Sequence, residues 1–592
     1  MIASDLARSA EEWIAHDPSE TDRAELRSLV ERADHDEAAA GELADRMSGD
    51  LQFGTAGLRG AMAAGPNRMN RAVVIRAARG LADYLLAAAP DWQGDRRPPR
   101  VVIGNDARHH SREFAVDSAA VMTAAGVEVL LLPDQVPTPV LAFSVRHLEA
   151  DAGVMVTASH NPANDNGYKV YLGGRSVTDP ERGAQIVPPY DGQIAACIKA
   201  APPADEIDRA VSGWVDLGPE LIEAYISAIV GAPGSPGETP EAPAAALKIV
   251  HTAMHGVGSP IALEALRRSG FTDITTVAAQ EKPDPDFPTV AFPNPEEKGA
   301  IDLALAEAVR VGADIVIAND PDADRCAVAI LDPRAGESGA WRMLHGDELG
   351  SLLGEAIASA ESASRQSASS SSGDGGAGVI VNSVVSSRLL ARIAAAHGLP
   401  YQRTLTGFKW MGRVPGMRYA YEEAIGYCVR PDLVHDKDGL SAAVEIARLA
   451  ARLKAAGSTM SGQLDDLARR HGLHLTSQLA VRFASLDGIT STMRRLHDAP
   501  PSTLAGRPIT SVVDLSEGYD GLPPTDGVAL MTADDDRVII RPSGTEPKVK
   551  CYLEVILPVA EDASFDDLTA IRRTARERLD AITEDLQANI FA

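Results

Sequence analysis

Three acids alternate at Asp320, Asp322 and Asp324, with Arg325 following and the strand-like apolar run 313–318 just before them. Alternate carboxylates in a loop can turn three hard oxygen ligands toward one Mg²⁺. A helix would send Asp322 away from its neighbours, so the chemistry needs a loop. The place just beyond a strand's carboxyl end is where open α/β sheets bind ligands. An EF-hand is excluded, because its sixth and twelfth positions would be Arg325 and Leu331 rather than Gly and Glu. Taken alone, the motif reads equally well as an acidic turn.

A second candidate is Ser159, in Thr157-Ala158-Ser159-His160-Asn161-Pro162 after the apolar run 153–156. A sharp exit from a strand exposes a hydroxyl, but the G-x-S-x-G elbow of serine hydrolases is absent. By itself Ser159 is an ordinary loop serine, and His160 by itself a structural histidine. A third is Arg541-Pro542-Ser543-Gly544-Thr545-Glu546-Pro547-Lys548. Its small residues expose successive N–H groups, and Arg541 adds a fork for phosphate oxygens. Its alternative is a polar hairpin turn. The glycine-rich 53–60 stretch pairs backbone freedom with Arg59 and does not match a P-loop. Glu422 and Glu423 can accept from sugar hydroxyls, or stand as solvated acids on a strand edge. Lys409 and Lys437 can meet anionic oxygens.

The elements that must position these groups read as α/β. Apolar runs at 101–103, 127–132, 152–156, 247–251, 315–318 and 379–381 alternate with helical patterns, which predicts mainly parallel sheets. A helix is expected over 70–88 and another over 565–587, with strands at 538–540 and 549–556 around a turn. Asp17-Pro18-Ser19-Glu20 reads as an N-cap, a first-turn proline and a capping-box glutamate. Residues 232–246 read as a linker, and 359–378, containing SASSSSGDGG, as a disordered surface insertion.

A chain of 592 residues implies about four domains at roughly 150 residues each. With 45% hydrophobic and 23% charged residues the composition is globular. A net charge of −27 argues against nucleic-acid and anionic-membrane partners. Phosphate binding then requires cations and N–H groups gathered in one place, which the motifs supply. Four scattered cysteines without a C-x-x-C pair suit a reducing cytoplasm. No apolar leader or membrane span is expected.

Taken together, TASHNP, DPDADR and RPSGTEPK, in this order with the 53–60 and 421–427 segments, resemble the α-D-phosphohexomutase superfamily of phosphoglucomutases and phosphomannomutases. The resemblance covers about 53–550. EEAIGY, TLTGFKW and DKDG are similar to its phosphopentomutase-like branch. It implies four domains around a central cleft, three mixed α/β and a smaller α+β phosphate-binding one, here placed at 1–212, 213–332, 333–474 and 475–592. It implies Ser159 as phosphoryl carrier. It implies Mg²⁺ on Asp320, Asp322 and Asp324 with a phosphoserine oxygen, and Arg59, His160, Lys169 and Arg325 around the reacting centre. Glu422, Glu423 and Lys409 would bind the sugar, and Arg541, Ser543, Gly544, Thr545 and Lys548 the distal phosphate. Phosphosugars and a sugar bisphosphate activator are the implied partners.

The expected reaction moves phosphate between the 1- and 6-positions of glucose or mannose. Alternatives are a phosphopentomutase, a sugar-bisphosphate synthase and a non-catalytic phosphosugar-binding protein. Lys169 and His160 are both candidates for the general base. Many relatives carry serine where this chain has Ala424, so one sugar contact is missing and broad specificity is expected.

Overall fold

The computed structural model describes residues 4–55, 57–89, 97–231, 244–336, 339–368, 377–483, 486–542 and 548–591. The chain divides into two compact units. Unit 1 comprises Met1–Ala329, Phe408–Pro415 and Gly426–Arg448; unit 2 comprises Ile330–Gly407, Gly416–Ile425 and Leu449–Ala592.

Unit 1 begins with helices Ser4–His16, Glu20–Ala33 and Glu37–Arg46, packed around Ala10, Leu26, Leu29 and Leu43. The second helix starts two residues later than expected. Its N-cap is Ser19, whose Oγ accepts from Asp22 N at 3.2 Å, while Asp17 accepts from Ser19 N. The hydroxyl reaches the third helical N–H, so it caps in the aspartate's stead.

The main sheet of unit 1 has the strand order Leu58–Ala61, Asp165–Leu172, Ala152–Val156, Arg100–Asn105, Glu128–Leu131, Val215–Asp216. Its four strands from Ala152–Val156 onward run parallel, as the apolar runs predict. Val101, Val102, Ile103, Val154 and Val156 are fully buried, as expected of strands covered on both faces. Asp165–Leu172 runs antiparallel to Ala152–Val156. Only eight residues, 157–164, join the two, too few for the crossover a parallel pair needs. That return brings Lys169 back beside the serine loop. A second sheet places Ile315–Asn319 parallel to Lys248–Thr252, which is parallel to Asp273–Thr276.

In unit 2, Val379–Ser383 lies between Tyr401–Thr404 and Met417–Glu422, parallel to both. The C-terminal sheet is antiparallel, in the order Leu473–Arg482, Lys548–Leu557, Arg537–Pro542, Val528–Thr532, Arg507–Asp514, Thr503–Leu504. Helix Phe565–Asn589 packs on it through Leu568, Leu579 and Leu586, and carries a capping box of Ser564 and Asp567. The α+β expectation therefore holds here. The disorder expected over 359–378 does not hold for its first ten residues. Helix Gly346–Ala368 continues through them, because Ala, Glu, Arg and Gln there sustain helix where Gly would not. Residues 369–376, like 232–243 of the expected linker, lie outside the described residues.

Candidate active site

Ser159 sits where strand Ala152–Val156 ends, in a left-handed turn with φ 55°. A non-glycine residue pays for that conformation, so the surroundings must hold it. They do so through a buried scaffold. Ser159 N donates to Thr157 Oγ1 at 2.9 Å, and that hydroxyl donates to Asp106 Oδ2 at 2.6 Å. Arg108 then donates to four carbonyls of the loop: Ser159 O and Asn161 O at 2.6 Å, Pro162 O at 2.7 Å and Asp165 O at 3.1 Å. Asp106 and Arg108 lie 3.4 Å apart and are both buried. Sequence reasoning did not single them out. The available signal was their place just beyond strand Arg100–Asn105, the same carboxyl-end position that marks the aspartates and the serine.

The serine Oγ lies 3.1 Å from His160 Nδ1 and 3.2 Å from Asp320 Oδ2. Asp320, Asp322 and Asp324 are buried, with ligating oxygens within 4.8 Å of one another. Asp322 Oδ1 and Asp324 Oδ1 have no hydrogen-bond partner. Buried carboxylate oxygens are costly to leave so, and a divalent cation would satisfy them. The aspartates therefore fit a metal ion, and among the described residues no other group of three ligating side chains does.

Cations close the site. Lys169 Nζ donates to Asp322 Oδ2 at 2.6 Å and Asp324 Oδ2 at 2.9 Å. Lys437 Nζ lies 3.5 Å from Asp324 Oδ2, and Arg325 N donates to Asp320 Oδ1 at 3.0 Å. Thr138, which carried no motif, donates its hydroxyl to Asp322 Oδ2 at 2.6 Å and its N–H to Asp322 O at 2.9 Å. Burial and the neighbouring Asp322 and Asp324 push Asp320 well above the ordinary carboxylate range. Burial would raise Asp324 as well, but Lys169, Lys437 and Arg325 hold it below that range. Burial lowers the Lys169 ammonium, yet Asp322 and Asp324 more than offset this. Burial, with Arg325 and Arg59 nearby, drives His160 well below its usual value.

Arg59 Nη1 lies 3.4 Å from Asn161 Oδ1, on the strand beside Lys169. The glycine preceding this strand is required. A Cβ on Gly57, at φ 73°, would stand 1.8 Å from Tyr168 O. Lys409 donates to Thr55 Oγ1 at 2.6 Å, so it joins the 53–60 segment.

The remaining predicted residues belong to unit 2. Glu423 Oε2 accepts from Ser383 Oγ at 3.0 Å and Ser386 Oγ at 3.2 Å, beside the equally buried Glu422. Burial and Asp347 raise Glu423. Arg541 donates to Thr406 Oγ1 at 2.7 Å and Thr525 Oγ1 at 2.9 Å. Lys548 opens the next strand, while Ser543, Gly544 and Thr545 lie outside the described residues.

Among the described residues, no helix is long and apolar enough to cross a membrane. Four phosphoglucomutase/phosphomannomutase domain models match: domain I over residues 50–200, domain II over 223–333, domain III over 345–471 and the C-terminal domain over 510–570. A Haemophilus influenzae protein named "Probable phosphomannomutase" is 41% identical over 488 residues, 82% of this chain and 93% of its own. The human phosphopentomutase is 33% identical over 98% of this chain and 95% of its own. The crystal structure of a phosphoglucomutase/phosphomannomutase family protein from Burkholderia thailandensis shares the fold, with a TM-score of 0.63 at 21% identity, over 90% of this chain and 97% of that one. A chain matched domain by domain from residue 50 to 570, with the candidate serine and three aspartates inside the matched stretches, belongs to the phosphoglucomutase/phosphomannomutase family of enzymes.

Proposed function

We propose that this enzyme interconverts the 1- and 6-phosphates of glucose or mannose, with Ser159 as the phosphoryl carrier. The observation that carries the reading is the Ser159 hydroxyl, fixed in a left-handed turn within 3.2 Å of both His160 and Asp320. Phosphoserine 159 passes its phosphoryl group to the free hydroxyl of a sugar monophosphate, and the hydroxyl proton leaves to a base. The resulting bisphosphate reorients, and its other phosphoryl group returns to the Ser159 oxygen.

Mg²⁺ on Asp320, Asp322 and Asp324 with a phosphoserine oxygen would neutralise charge on the transferring group. Arg59, Arg325 and Lys169 add positive charge around it. His160 is the neutral base candidate at the serine, whereas Lys169 is an ammonium held by two carboxylates. Glu422 and Glu423 are the candidates for sugar hydroxyls, and Lys409 is a further contact. Arg541, Ser543, Gly544, Thr545 and Lys548 take the distal phosphate. The domain limits we assign are 1–212, 213–332, 333–474 and 475–592. Four free cysteines, three of them buried, support a cytoplasmic site of action.

The test is turnover of glucose 1-phosphate with bisphosphate activator, followed with intact-mass measurement. Wild type should carry a phosphoryl adduct, and Ser159→Ala should lose both adduct and turnover. Near-normal turnover in that variant would sink the phosphoserine mechanism.

A second reading, transfer between the 1- and 5-positions of a pentose, is supported by similarity to human phosphopentomutase along nearly the whole of both chains. Comparing kcat/KM on glucose, mannose, ribose and deoxyribose 1-phosphates separates the two.

A further inference from the structure

Unit 2 contains a cavity of about 550 Å³ among the starts of helix Gly346–Ala368 and strand Leu473–Arg482, helix Met460–His471 and helix Phe565–Asn589. That volume is in the range of small-molecule sites. It is remote from the phosphate loop. Leu473 pairs with Leu557 and Thr476 with Glu554 at the cavity end of the ladder, whereas Arg482 pairs with Lys548 and Arg541 with Lys550 at the other. The seven steps along the strand from Leu475 to Arg482 span about 23 Å at roughly 3.3 Å each.

The lining leaves specific groups unsatisfied. The His474 side chain, 1% exposed, holds Glu554 Oε1 through Nδ1 at 3.1 Å, and its Nε2 has no partner. Nδ1 faces the carboxylate, so Nε2 is the ring nitrogen left to an occupant's hydroxyl, which can donate to it or accept from it. Ser351 is fully buried, and its Oγ also lacks a partner. Arg573 and Arg576 are exposed and make no hydrogen bond or ion pair among the described residues.

The other lining charges are largely matched. Arg342 holds Asp332 at 2.6 Å and Glu348 at 2.7 Å, and Asp465 takes Arg334 at 2.6 Å and Arg572 at 3.1 Å. Asp347 accepts from Ser387 N at 2.7 Å and Tyr421 OH at 3.0 Å. Two unpaired guanidinium forks suit a phosphate, and two buried atoms without partners suit hydroxyls.

We propose that this cavity binds a small hydroxyl-bearing phosphate monoester, with its phosphate on Arg573 and Arg576 and its hydroxyls on His474 Nε2 and Ser351 Oγ. The cavity lies within unit 2, whereas Ser159 and the three aspartates belong to unit 1. Its wall is shared, however. Asp347 holds Tyr421, the residue immediately before Glu422, so an occupant acts on the sugar loop through one hydrogen bond.

The experiment is equilibrium dialysis of the full chain with radiolabelled sorbitol 6-phosphate, with unphosphorylated sorbitol as control. Binding should persist in Arg541→Ala and weaken about tenfold or more in Arg573→Ser/Arg576→Ser, the loss expected for charge-assisted contacts. Those two arginines are exposed, so that double variant keeps its fold. Ser351→Val, with its circular dichroism checked against wild type, should weaken binding as well. Absence of millimolar binding, binding lost in Arg541→Ala, or binding unchanged in Arg573→Ser/Arg576→Ser would each overturn the proposal.

Discussion

Arg108 donates to four carbonyls of the 159–165 segment that begins with Ser159, and no lysine can do that. A displacement of about 1 Å at a reacting atom costs roughly a hundredfold in rate. Arg108→Lys should therefore lower kcat by about that factor while moving KM little, as steady-state kinetics will show. A comparable loss in KM with kcat retained would assign Arg108 to substrate binding instead. Metal dependence belongs to the same scale. Asp322 supplies an unpartnered buried oxygen, so EDTA should inactivate the enzyme and Mg²⁺ restore it, and Asp322→Ala should lower kcat by orders of magnitude. Activity that survives exhaustive chelation would contradict the metal assignment. At this scale the sequence was most informative where residue type and chemistry coincide, as at Ser159 and the three aspartates. It was silent on Asp106, Arg108 and Thr138, whose work is to hold other residues and depends on what folding brings near them.

Between elements, Glu554 on strand Lys548–Leu557 is the junction. It is 1% exposed and accepts from Ser387 Oγ at 2.8 Å and Arg388 Nε at 2.7 Å, with Arg537 at 3.2 Å and His474 at 3.1 Å. Arg537 in turn donates to Ser386 O at 2.6 Å, and Ser386 holds Glu423. The C-terminal sheet thereby supports the loop that carries the sugar-binding candidates. Burial would raise Glu554, but Arg537, His474 and Arg388 hold it well below its ordinary value. A depressed carboxyl stabilises the fold above its unfolded pKa, near 4.3, and that contribution fades as pH falls below it. Glu554→Gln should therefore cost about 3–5 kcal/mol at neutral pH, the scale for breaking a buried pair. Its deficit relative to wild type should shrink below about pH 4.3 in urea unfolding series. A deficit independent of pH would mean that packing, not charge, is what Glu554 contributes. The elements themselves were largely legible, since buried parallel strands announce themselves as apolar runs. The short strand return after Ser159 and the helix running to Ala368 were not, because each was decided by its neighbours.

For the molecule as a whole the open quantity is specificity. On the function proposed above, distal-phosphate capture would be indifferent to the sugar attached, and discrimination would fall to hydroxyl contacts, where Ala424 offers none. Apolar positions reject an analogue only weakly, by roughly a hundredfold or less. Glucose 1-phosphate should be a substrate, with mannose 1-phosphate or a pentose 1-phosphate within about a hundredfold in kcat/KM. Ala424→Ser should move that ratio more than the best rate. A wild-type preference above roughly ten-thousandfold for one sugar would refute this, since selectivity of that size requires matched polar contacts.

By itself the sequence determined the family and the four-domain plan, and it nominated the candidate reacting groups, because those depend on residue types at short spacing. Tertiary structure alone decided which distant residues share a charge, as Lys169 does with Asp322 and Asp324 across more than 150 positions. It also decided that Glu423 is spent on two serines, and that Arg573, Arg576, Ser351 and His474 line one cavity. The physical reason is that burial and electrostatic pairing are set by distance in space, and no local pattern along the chain encodes that distance.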